Sequence, residues 1–135
     1  MLNKKTVFLS GPMRGVPRDK SREWRINAEN LLKDNFNTLH AFIGREKKET
    51  MLDPKGAIIR DKNYISSSNI LLVNDTFSDV SMIGTSMEIL ISYQKDIPVI
   101  VFGDAHKGDY WMDYHLHIRV DSLEEACEVI SNLFV

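Results

Sequence analysis

Short, wholly apolar runs alternate along the chain with longer segments whose apolar residues recur at helical spacing. Thr6–Ser10 (TVFLS) is an apolar run ended by Gly11 and Pro12, and it predicts a buried first strand. Ile70–Val73 (ILLV) and Pro98–Phe102 (PVIVF, ended by Gly103) are continuously apolar, the pattern of strands covered on both faces. Leu116–Val120 alternates and predicts an edge strand; a weaker strand is expected around Thr38–Ile43. Ser21–Asp34 sets Trp24, Ala28, Leu31 and Leu32 at helical spacing. Further helices are expected over Lys55–Ser68, after Pro54, and over Gly84–Lys95. Ser122–Phe134 reads as a closing helix that starts on a capping box, Ser122-x-x-Glu125. Gly44–Lys55, with its charged run from Arg45 to Glu49, and Thr76–Ser81 read as loops.

This alternation predicts an α/β fold: a doubly wound, mainly parallel sheet with helices on both faces, Rossmann-like in plan. There is no internal repeat or low-complexity linker, and 135 residues suit a single domain spanning 1–135. Ligands of such folds sit beyond the carboxyl ends of the strands. Attention therefore falls on the loops after Ser10, Val73 and Phe102.

Composition narrows the classes of function. Lys+Arg is 17 and Asp+Glu is 19, a net charge of -2, which argues against non-specific binding to nucleic acid polymers or anionic membranes. Cys127 is the only cysteine, so an internal disulfide or a cysteine-rich zinc cluster is impossible, and its spacing with Leu123 and Ile130 places it in the core. The apolar run Val7–Leu9 is too short for a secretory leader or a membrane span, and a soluble, cytoplasmic protein is expected.

Four places carry candidate chemistry. The loop Ser10-Gly11-Pro12-Met13-Arg14-Gly15 is neither a dinucleotide fingerprint nor a P-loop. Its glycines permit close backbone approach, and Arg14 offers a fork of donors suited to phosphate. The plainer reading is a strand-to-helix turn with a solvent-facing arginine. In Gly84-Thr85-Ser86-Met87-Glu88, the glutamate stands among apolar residues on a helix that reads as apolar nearly all round and hence buried. Held ionised by the helix start, Glu88 suits a nucleophile; alternatively it caps its own helix or pairs with a cation. Asp61 shares a helical face with Ile58 and Ile65, where burial would favour the protonated form that a general acid needs; the alternative is a structural aspartate bonded to backbone or to Arg60. Asp75, at the tip of the ILLVN run, suits holding ribose hydroxyls or orienting a catalytic group, or else an Asx-turn. His115-x-His117 with Asp113 lacks a third metal ligand and reads as solvent-facing, while Tyr110-Trp111-Met112-Asp113-Tyr114 suits either a planar ligand or a subunit interface.

Together, VFLSGPMRG, IIRD on a helix, SSSNILLVND, and GTSMEILISYQKDIPVIVFG, in this order and spacing, resemble the nucleoside 2-deoxyribosyltransferase superfamily, which includes nucleoside 5′-monophosphate N-glycosidases. The resemblance runs through most of the chain to Gly103. It implies the same doubly wound fold, with Glu88 as nucleophile at the anomeric carbon and Asp61 assisting proton transfer to the base. It also implies nucleotide contacts from Gly11–Gly15, with Ser10, Asp75, Gly84, Thr85 and Ser86 around the site. A small nucleoside or nucleotide partner and a homodimer or higher homo-oligomer follow as expectations, and the chemistry requires no cofactor or metal. The stretch after Gly103 departs from the transferases' carboxyl-terminal pattern, and the chain is compact for a transferase, which favours hydrolysis. Two other classes stay open: a nucleotide-binding module without catalysis, and a partner-binding domain that uses the Tyr110–Tyr114 aromatics.

Overall fold

The computed structural model describes residues 4–43 and 53–134. Most of the expected loop Gly44–Lys55 lies outside them. Five strands form one sheet: β1 (Lys5–Ser10), β2 (Phe36–His40), β3 (Ile70–Asn74), β4 (Val99–Phe102) and β5 (Ile118–Val120), in the order β2-β1-β3-β4-β5. Every pairing is parallel, as near-continuous apolar strands require. Five helices alternate with the strands: α1 (Arg18–Leu32), α2 (Pro54–Ser66), α3 (Ile83–Gln94), α4 (Tyr110–His115) and α5 (Leu123–Leu133).

The two-residue repeat of each strand divides the core into two layers. Val7, Leu9, Ile70, Leu72, Ile100 and Phe102 pack against Trp24, Ala28 and Leu32 of α1 and Ala126, Cys127 and Ile130 of α5. Phe8, Leu71, Val73, Val99 and Val101 point the other way, onto Ile65 of α2, Ile89 of α3 and Met112 of α4. The doubly wound plan is thus realised. Cys127 sits in the core, where burial pushes its thiol up to about 11.

Several element boundaries differ from expectation. β2 begins two residues before the predicted strand because Phe36 supplies its first buried contact. α2 starts at Pro54, one residue before its predicted start, and is capped by Asp53, whose carboxylate accepts from the Gly56 N–H at 3.0 Å. The aromatic segment after β4 forms the short helix α4, capped by Asp109, whose Oδ1 accepts from the Met112 N–H. Ser122 caps α5 through the Glu125 N–H, the expected box position.

One correction concerns α3. It is not enclosed: Thr85, Ile89 and Ser92 are buried, while Ile83 and Met87 are largely exposed. The helix meets the sheet through one face only, and its second apolar face has no covering element among the described residues.

Candidate active site

In the 2-1-3-4-5 strand order, chain direction across the sheet reverses between β1 and β3, and a crevice opens beyond their carboxyl ends. A cavity of about 330 Å³ lies there, lined by Gly11, Met13 and Arg14 after β1, by Ile58 and Asp61 from α2, and by Gly84, Thr85 and Glu88 from α3. Residues distant in sequence meet at this point because β1 and β3 are neighbours and α2 and α3 pack on the same side of them.

Glu88 is held from β1. The Ser10 hydroxyl donates to Glu88 Oε1 at 2.6 Å. Burial is the largest influence on this carboxyl and raises it from 4.5 to about 7. The Ser10 hydrogen bond and Arg25 oppose the rise, while Asp61 adds to it. This corrects the expectation that the helix start keeps Glu88 ionised: Glu88 lies beyond the first turn of α3, desolvation is the largest influence on it, and near neutrality the carboxyl holds both protonation states. No ion pair joins Glu88 to a lysine or arginine among the described residues.

Asp61 is mostly buried and lies 3.4 Å from Arg60 Nη2. Arg60 also donates to the carbonyls of Ala41 and Ile43, which ties α2 to the chain leaving β2. Ile65, on the Asp61 face, is buried as expected, but Ile58 is largely exposed and forms part of the cavity rim.

The remaining site residues divide. Gly11 approaches Trp24 and Asn74 closely enough that a Cβ there would lie 3.1 Å from the indole, so a side chain at that place would press on Trp24. Arg14 is exposed at the cavity, whereas Pro12 is buried away from it and Gly15 does not line it. Ser86 points to a different and larger cavity of about 490 Å³ between α3 and α4, with Met87, Leu90, His106, Trp111 and His115. Glu88 and Asp61 line the smaller cavity, whereas the carboxylate of the larger one, Asp109, is occupied in capping α4.

Asp75 requires a second correction. Its side chain is fully buried and lines neither cavity. Oδ1 lies 2.6 Å from His106 Nδ1, and Oδ2 accepts from the His106 N–H at 3.0 Å and from Arg119 Nη1 at 2.7 Å. These partners come from the loop after β4 and from β5, and they consume the carboxylate that ribose would need. Gly103 fits against the Asp75 carbonyl with φ of 100°, where a Cβ would lie 2.5 Å from that oxygen. His115 closes α4, stacked on Trp111, and His117 Nδ1 accepts from the Val99 N–H. Among the described residues no group of three His, Cys, Asp or Glu is arranged to hold a metal, and no helix is long and apolar enough to cross a membrane.

Arg25 escaped the reading of the sequence. Its guanidinium is buried beside the acid pair and lines the same cavity. A signal was present: Ser21, Trp24, Arg25, Ala28 and Leu32 form the buried stripe of α1, and an arginine on that stripe must be enclosed.

Comparison with solved structures agrees with the fold. A 2-deoxyribosyltransferase from Bacillus psychrosaccharolyticus superposes with a TM-score of 0.70 at 16% identity, over 89% of this chain and 88% of that one. The CMP N-glycosidase BcmB from Clostridium botulinum gives 0.65 at 14%, over 96% and 100%. DNA processing protein A from Helicobacter pylori, described for its single-stranded DNA binding, gives 0.63 at 11%, over 97% and 82%. No protein-family model and no curated protein matches. The chain has the 2-deoxyribosyltransferase-like fold, and since one such fold serves different ends, the activity has to be argued from the site.

Proposed function

We propose that the chain cleaves the N-glycosidic bond of a nucleoside or nucleoside 5′-monophosphate, by hydrolysis or base transfer, through a glycosyl ester on Glu88. The observation that carries this reading is that Glu88 and Asp61 line one cavity large enough for a small ligand. A Glu88 carboxylate oxygen attacks C1′ while the C1′–N bond breaks and its electron pair leaves with the base. Asp61 gives the base a proton. A water that yields its proton to Asp61 then attacks C1′ and frees Glu88; an acceptor base in place of water gives transfer. Arg14 at the cavity suits a 5′-phosphate.

The ionised nucleophile sets the pH dependence. With Glu88 near 7 in the free protein, kcat/KM should rise as pH increases through neutrality. The test is a panel of nucleosides and 5′-monophosphates, with and without acceptor base, analysed by chromatography. Glu88→Gln should lower base release by at least about 10³-fold while ligand binding persists. Binding by the wild-type protein with no base released from any member of the panel would instead support a non-catalytic nucleotide-binding module. The ion pair of Asp61 with Arg60 gives this aspartate a structural partner and speaks for that second reading.

We further propose a homo-oligomer in which a second copy covers the exposed apolar face of α2 and α3. Ile58, Ile59, Ile83 and Met87 there are all more than half exposed, which water disfavours.

A further inference from the structure

A buried arginine needs acceptors for its five N–H groups and a counter-charge. Arg25 is 2% exposed. Nη1 donates to the Ser21 carbonyl and to Ser21 Oγ, each at 2.8 Å, and Nη2 donates to the Gly11 carbonyl at 3.0 Å. Nε is buried and has no hydrogen-bond partner among the described residues. The guanidinium lies 4.7 Å from the Trp24 ring centroid and 5.4 Å from that of Phe42, so its position is fixed on both sides. A carboxylate bonded directly to it is missing from this set; the acids it faces are those of the cavity.

We propose that Arg25 is a positioning residue of the site: it anchors the loop after β1 through the Gly11 carbonyl, and it supplies a fixed, buried positive charge that compensates the Glu88 carboxylate across the cavity both line. This rests on the function proposed above for the pair. The groups facing Glu88 are Ser10 from β1, Asp61 from α2, Arg25 from α1 and, on the cavity wall, Arg14. Of the two arginines, Arg14 is exposed and screened by water, whereas Arg25 acts through protein. Arg25 lines the cavity together with both acids, and its charge opposes the rise that burial imposes on Glu88.

The test reads Glu88 itself and uses no substrate, so it succeeds or fails whether or not the protein cleaves nucleosides. Side-chain carboxyl carbons of ¹³C-glutamate-labelled protein are titrated by NMR, with Glu88 assigned from the Glu88→Gln spectrum. Arg25→Met should raise the Glu88 midpoint by about one pH unit, a tenfold change in its protonation equilibrium, while Arg25→Lys keeps it close to wild type. A folded Arg25→Met protein with an unmoved Glu88 midpoint overturns the electrostatic role. Should Arg25→Met fail to fold, Arg25→Lys decides: the lysine keeps the charge and loses the fork, so the midpoint should stay while the Gly11, Met13 and Arg14 amides exchange at least about tenfold faster. A shifted midpoint or unchanged exchange in that variant overturns the proposal.

Discussion

Glu88 carries opposed demands, and their balance is measurable in the stability of the fold. Its carboxyl is held near 7 in the native state against 4.5 when free, so between these values the native chain binds a proton that the unfolded chain has lost. Stability is then full below about 4.5, falls as pH rises, and levels off above about 7. Glu88→Gln removes the titration. The variant should match wild type at pH 4 and exceed it at pH 8 by an amount on the order of 3 kcal/mol, read from urea unfolding at the two pH values. Equal stabilities at pH 8 would mean that the carboxylate is solvated and the cavity open. Glu88 was legible in the sequence because an acid among Met87, Ile89 and Leu90 breaks the pattern of its helix. Its protonation was not, since burial and the charges of Asp61 and Arg25 around it depend on the fold. Arg25 was harder to see: arginines on helices are usually solvated, and only the full stripe from Ser21 to Leu32 marks this one as enclosed.

At the level of elements, the strands were easy to find and the polar ends of the strands were not. β3 and β4 are apolar at nearly every position because both faces are covered, and no other arrangement of such short runs keeps them from water. Asp75 at the end of β3 looked like a ligand contact because strand tips are where ligands bind. Its partners, His106 and Arg119, lie 31 and 44 residues away, a separation that local pattern does not reveal. The arrangement ties the ends of β3 and β5 and the loop after β4 into one unit. Asp75→Ala leaves the Arg119 guanidinium, whose side chain is 12% exposed, without its buried counter-ion. The expected loss is about 3 kcal/mol, seen as a lower urea midpoint at unchanged m-value. Asp113, 3.5 Å from Arg119 and 43% exposed, is the control: Asp113→Ala should cost less than about 1 kcal/mol.

For the whole molecule, the unresolved question posed by α3 is what its outer face meets. Helical positions that are apolar all round predict burial, and the sheet and neighbouring helices enclose only the Thr85, Ile89 and Ser92 side. Ile83 and Met87 of α3 and Ile58 and Ile59 of α2 are all more than half exposed. Ile58 and Ile83 also stand on the wall of the Glu88 cavity, so whatever covers this face borders the site. A second copy of the chain satisfies both requirements, since a two-fold contact places like against like and apolar against apolar. Wild-type protein should therefore sediment as a dimer at micromolar concentration. Met87→Glu, which sets a charge in the centre of the contact and touches neither acid, should weaken association by at least about a hundredfold, near 3 kcal/mol, and leave a monomer in the same experiment. If the cavity is bordered by the contact, base release should fall with the dimer and recover as protein concentration is raised. A wild-type chain that sediments as a monomer at every concentration would mean that α3 keeps its outer face for something other than itself.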